Sequence, residues 1–284
     1  MTQRARLIVF LVVMLAPFRA VTAQSWRTVE SARQLHDSAE HRVRVRYSAG
    51  RIDVVATNAP LLYSMTLRYD EGTTTPIHQY DAAARTLTLG IEGESSKFSR
   101  NMGDKSKGEM RLALSRSVPI DLDLQLGATK AQLDLGGLSL LGLRLASGAS
   151  ETLLDFSTPN QSRMRALDID VGAASFEARN LANANASAVH VQGGVGSVEL
   201  DFAGQWSQDM TVDADLALGK LTVHLPRDVG VRVEVQKFLA SFDQRGLQKR
   251  GDAYYSDNWD SAKYHLRLRA QTTFGGIELD RVDN

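Results

Sequence analysis

Apolar and polar positions alternate through most of this chain, and between residues 121 and 223 the alternation is cut into copies of one motif. A glycine or alanine opens each copy, and an alternating apolar strand follows a few positions later. The copies read Gly127-ATKAQLDL, Gly148-ASETLLDF, Gly172-AASFEARN, Gly194-VGSVELDF and Ala217-LGKLTVHL, at intervals of 21, 24, 22 and 23 residues. A period of this length predicts a β-solenoid, in which each turn buries its apolar face only against its neighbours. Within the copies, Leu122, Leu124 and Leu126 fall on one face and Asp121, Asp123 and Gln125 on the other. Leu167, Ile169 and Val171 repeat this against Asp168 and Asp170, and Val198, Leu200 and Phe202, then Val212, Ala214 and Leu216, continue it. The small aliphatic side suits strands stacked about 4.8 Å apart. A glycine at each corner lets the chain turn without a side-chain clash.

The flanks are also β-patterned. Residues 24–118 read as an N-terminal β module, in which Val43, Val45 and Tyr47 share one face and Arg42, Arg44 and Arg46 the other. Ser48-Ala49-Gly50 predicts a turn into a return strand from Ile52. Residues 27–40 fit a short helix or an extended lead-in strand equally. The polar stretch 94–108 predicts an exposed loop. The solenoid then occupies residues 119–284 and makes about five turns. Its end is expected to be capped, because an open last turn would offer unpaired backbone to other chains. Tyr254, Tyr255, Trp259 and Tyr264 are the aromatic residues placed to form part of that cap, and residues 264–282 read as two strands turning near Gly275-Gly276. The expected fold is all-β, an N-terminal module running into a single-stranded, β-helix-like stack.

The first residues add a destination. Arg4 and Arg6 precede an apolar run over residues 7–18, and Val21-Thr22-Ala23 supplies the small residues of a cleavage site. The run is shorter than the about 20 residues a membrane-spanning helix requires. It therefore reads as a signal peptide over residues 1–23, cut after Ala23, with the remaining protein in the periplasm or at the cell surface. No cysteine occurs anywhere, which removes disulfides, thiolate metal sites and cysteine nucleophiles from consideration. Lysine plus arginine and aspartate plus glutamate both total 33, so net charge points to no polyanionic partner, and nucleic acid is not expected.

The catalytic motifs sought are missing: there is no Gly-x-Ser-x-Gly elbow, phosphate loop or His-Glu-x-x-His pair. Six scattered histidines lack metal-ligand spacing. Residues 121–215 hold 13 acids against five bases. Were Asp168/Asp170, Glu199/Asp201 and Asp213/Asp215 to stack on successive turns, they would form a carboxylate column with oxygen ligands for calcium. Simple alternation of a solvated strand face accounts for the same residues. Asp168/Asp170 or Asp213/Asp215 would also be the pairs to test for polysaccharide cleavage. Tyr254, Tyr255 and Trp259 sit in polar sequence and are the candidate ligand-binding residues, since such rings stack on sugars as readily as they cap a core. No cofactor is expected.

Two segments carry a resemblance. Residues 60–92, PLLYSMTLRYDEGTTTPIHQYDAAARTLTLGIE, resemble the N-terminal domain of the toast-rack family of bacterial envelope proteins. The ending GDAYYSDNW…AKYHLRLRAQTTFGGIEL is similar to that of putative-adhesin β-solenoids and of the C-terminal domain of LiaF-like cell-wall-stress proteins. The resemblance implies a non-enzymatic, exported scaffold that binds an envelope glycan or a membrane or envelope protein. A periplasmic accessory of an envelope-stress response is the alternative it offers; the third reading, a carbohydrate-active enzyme, comes from the β-helix architecture and not from the resemblance.

Overall fold

Inward and outward positions sort as the alternation requires. Val43, Val45, Tyr47, Leu122, Leu124, Leu167, Ile169, Val212 and Leu216 are at most 1% exposed. The computed structural model describes residues 25–93 and 108–283. The signal segment expected over residues 1–23 and nearly all of the loop expected at 94–108 lie outside the described residues.

The strands form one continuous sheet. Its centre is a parallel stack of β2 (His41–Thr57), β7 (Pro119–Asp134), the pair β8 (Ser139–Ser147) and β9 (Glu151–Asp155), β10 (Leu167–Arg179), β11 (Ala188–Asp201) and β12 (Met210–Pro226). Each rung has two arms. The β8–β9 rung is split outright, and in the other rungs the alternation breaks once. In β12, Leu216 and Leu221 both point inward, five residues apart, with Gly219 at φ 142° between them. Segments 135–138, 156–166, 180–187 and 202–209 close the third side, adding Leu135, Leu138, Phe156, Met164, Leu181, Phe202 and Trp206 to the core.

Buried amides hold that third side together. Asn160 donates from Nδ2 to the Leu140 carbonyl at 2.9 Å and accepts from the Leu140 N–H at 2.7 Å. One turn on, Asn183 donates to the Phe156 carbonyl and accepts from the Gln205 N–H. Asn180 and Asn185 flank a short 3-10 turn, Leu181–Ala184, with φ near 55°, a conformation asparagine tolerates better than most residues. The Asn160 and Asn183 side chains thus satisfy backbone groups of an adjacent turn that would otherwise be buried unpaired.

The N-terminal strands continue the stack and then end it. β5 (Thr86–Gly93) and β6 (Glu109–Ser115) lie parallel on the two arms of β2. β4 (Thr74–Asp81) and β3 (Leu61–Asp70) cover these antiparallel, and β1 (Trp26–Gln34) lies antiparallel on β3. The lead-in is therefore a strand. Arg27, Glu30 and Arg33 on β1 and Pro76 on β4 guard the two outer edges against pairing with another chain.

At the other end the chain departs from sequence order. β13 (Gly230–Gln244) leaves a gap that β16 (His265–Val282) fills, pairing with β12 on one side and β13 on the other. Residues 264–282 accordingly hold one long strand with a break at the corner, where two strands had been expected. The same holds for the expected turn at Ser48-Ala49-Gly50, which is the corner of β2. In both places the halves pair with neighbouring rungs and not with each other, because a solenoid corner and a hairpin turn share the same glycine signal. β15 (Ala253–Tyr255) pairs antiparallel with Arg232 and Val233, and β14 (Gln248–Arg250) pairs with β15.

Candidate functional site

The charged outer face of the first arm is built by register. Arg44, Asp123, Arg144, Asp168, His190, Asp213, Arg269 and Glu234 are successive cross-strand neighbours. Acid alternates with base or histidine at every step, and His190 Nδ1 lies 3.5 Å from an Asp213 carboxylate oxygen. The carboxylate column that would have served calcium is not formed: His190 separates Asp168 from Asp213, and Gln192 separates Asp170 from Asp215. Glu199 and Asp201 lie past the corner, on the second arm. Repulsion between like charges on neighbouring strands explains the arrangement, since each acid gains by facing a base. Among the described residues no group of three or more His, Asp or Glu side chains is arranged to hold a metal ion.

Besides His190, four more histidines have protein partners. His41 donates to the Ala39 carbonyl, His78 lies between Ser31 and Tyr63, His224 meets Glu199 at 2.9 Å, and His265 donates to the Trp259 carbonyl.

Tyr254, Tyr255 and Trp259 gather at the C-terminal end, half-buried, and they divide between two tasks. Tyr254 packs edge-on against Phe242 at 5.1 Å, inside the cap. Tyr255 and Trp259 lie on the outer face of the first arm, 5.5 Å apart, and Trp259 meets His265 at 4.8 Å. Three guanidiniums surround these two rings: Arg232 and Arg250 lie 5.9 and 5.6 Å from the Tyr255 ring, and Arg267 lies 5.7 Å from Trp259. Arg232 also donates to the Tyr255 hydroxyl at 2.9 Å, and this bond is the main reason its pKa is raised. Arg232 and Arg267 face each other across β13 and β16. Glu234 and Asp209 offset them, pairing with Arg232 and Arg267 respectively.

Two further surfaces were not picked out from the sequence. Of the six most exposed large hydrophobic side chains among the described residues, five gather at the corner of the last rungs. Val195, Leu218, Phe274 and Leu239 are in register on β11, β12, β16 and β13, and Phe238 packs edge-on against Phe274. Beside this ridge, on the first-arm side, a groove of about 1120 Å³ crosses the rungs from β5 to β12. The sequence signal for both lay in the repeat anchors. In Val195-Gly196, Leu218-Gly219 and Phe274-Gly275 an apolar residue stands immediately before a positive-φ corner glycine and out of the inward phase of its strand.

Among the described residues no helix is long and apolar enough to cross a membrane. Residues 21–179 match the model of the N-terminal domain of toast_rack, DUF2154. No curated protein matches the chain. Three solved structures are similar over most of their length. A putative cell adhesion protein from Clostridium sporogenes is 16% identical with a TM-score of 0.49, covering 91% of this chain and 100% of its own. A putative adhesin from Bacteroides fragilis is 11% identical at 0.42, covering 91% and 98%. Another from Parabacteroides merdae is 12% identical at 0.39, covering 90% and 96%.

Proposed function

We propose, from the premise that this chain belongs to the toast-rack family, whose N-terminal domain matches residues 21–179, that it is an exported, non-enzymatic scaffold. In this reading it binds a component of the bacterial envelope or surface, as an adhesin-type protein would. The observation that carries the reading is the patch at the C-terminal end, where Tyr255 and Trp259 stand among Arg232, Arg250 and Arg267. Aromatic faces and guanidiniums are the side chains that most often dominate binding energy at an interface. Here Arg232, Arg250, Tyr255 and Arg267 stand on strands, and Trp259 stands on the turn that follows β15. Tyr254, turned against Phe242, contributes by fixing the hairpin that carries Tyr255.

A second reading, a periplasmic accessory that acts by binding another protein, is favoured by the corner ridge. Apolar side chains contiguous over four rungs are the usual mark of a protein contact. The two readings separate in one experiment. Protein beginning at Gln24 is immobilised and exposed to native envelopes, and the glycan and membrane-protein fractions are scored separately. Retention of glycan that is lost in Trp259→Ala supports the adhesin-type scaffold. Selective retention of one membrane protein, lost in Leu218→Asp and unaffected by Trp259→Ala, replaces it with the accessory.

A further inference from the structure

The groove beside the corner ridge has a floor of the same construction at four successive steps and a wall that varies. Its floor is the glycine column that opens the repeats, Gly127, Gly148, Gly172 and Gly194. A Cβ on Gly172 would stand 3.0 Å from the Gly148 carbonyl oxygen, and one on Gly194 2.8 Å from that of Gly172. Backbones approach so closely there that the floor stays bare. The wall is the last outward position before the corner, where Arg46, Gln125, Asp170, Gln192 and Asp215 are exposed on successive rungs, with Ala146 between Gln125 and Asp170.

We propose that this groove binds a neutral, linear glycan lying along the stack. The inference rests on the reading of the chain as a binding scaffold and adds a second site to the aromatic patch. Periodicity is the first argument. The glycine floor repeats at the strand spacing, about 4.8 Å, so successive units of a ligand that also repeats meet the same backbone surface at high effective concentration, while the polar wall beside them varies. Chemistry is the second. Amide and carboxylate groups are planar hydrogen-bonding groups that can engage neighbouring hydroxyls, and a glycine floor admits the flat C–H face of a sugar ring. Charge is the third. Arg46 is paired with Glu92 at 3.5 Å, so the wall offers two amides and two carboxylates, which disfavour a polyanion. An extended peptide is disfavoured by direction. It binds a sheet by pairing with an edge, and here the strands run across the groove.

The test measures equilibrium binding of a length series of neutral β-linked glucose and N-acetylglucosamine oligomers to the protein beginning at Gln24. Polygalacturonate oligomers and an uncharged extended peptide are run alongside. Affinity is expected to climb with each added sugar until the groove is filled. The double variant Gln125→Ala/Gln192→Ala, at two exposed positions, loses about tenfold, as two hydrogen bonds would predict. Gln192→Arg, which fills the groove, abolishes binding; unaltered thermal melts establish that the variants are folded. Tighter binding of the polyanion or the peptide, affinity that does not grow with length, or indifference to both Gln192 variants would overturn the proposal. If envelope retention persists while the oligomers fail to bind, the groove assignment falls and the scaffold reading stands.

Discussion

Single residues at the corner carry constraints that their neighbours do not. Gly219 has φ 142°, and a Cβ there would stand 1.8 Å from the Gly196 carbonyl oxygen. Gly219→Ala is therefore expected to destabilise the protein by about 3 kcal/mol, through strain and displaced backbone together. Val195→Ala, one rung away and half exposed, should change stability by less than about 0.5 kcal/mol. Urea unfolding of the two variants checks the contrast. Nearby, Lys220 bonds to Glu278 across β12 and β16, and the same bond lowers the Glu278 carboxyl pKa below its usual value and raises that of Lys220. A depressed carboxylate stabilises the fold above its unfolded pKa and loses that contribution as pH falls through its folded one. The melting temperature of Lys220→Met should thus lie slightly below wild type near neutral pH and converge with it as pH falls below the ordinary carboxylate range, the difference shrinking with salt because the pair is reached by solvent. A gap that persists in acid would show that packing, and not charge, was lost.

Strand order and register are the content of the element scale, and the absence of cysteine makes them directly testable. Cross-strand neighbours in a parallel pair lie about 4.8 Å apart, within the Cα range a disulfide spans, whereas second neighbours lie at about twice that distance. His190→Cys/Asp213→Cys should cross-link under mild oxidation, and Asp168→Cys/Asp213→Cys should not. Arg269→Cys/Glu234→Cys should cross-link as well, because β16 lies between β12 and β13. Gel mobility of the oxidised variants reads all three, and a cross-link between Asp168→Cys and Asp213→Cys would restore the carboxylate column. Much of this scale was legible. The period of the copies and the inward set from Val43 to Leu216 follow from alternation alone, which a buried strand face enforces. The insertion of β16 between β12 and β13 was not legible, because inward-facing Val212, Leu268 and Val233 are interchangeable as packing partners, and nothing local orders them. The charge ladder was hidden for a related reason: acids were visible at regular spacing, but the register that sets His190 between two of them is a tertiary fact.

At the scale of the whole molecule, two ends and one corner are distinct. The N-terminal edges carry Arg27, Glu30, Arg33 and Pro76, while the C-terminal end gathers the Tyr255–Trp259 patch and the apolar ridge. The groove runs between them along the stack. The placement of Tyr254, Tyr255 and Trp259 at one end was legible as a cap, but their split, one ring facing inward and two outward, depended on the β14–β15 hairpin and on Arg232, far away in sequence. The proposed role is that this stack holds a ligand on its outer surface and leaves it unchanged. The most direct measurement of that claim follows one envelope fraction through incubation with the protein beginning at Gln24, quantifying both bound material and soluble products. The account predicts saturable retention of an intact component, with no fragments released over time. Accumulation of shortened glycan that continues with time and disappears in Asp168→Asn or Asp213→Asn would contradict it and make the chain an enzyme.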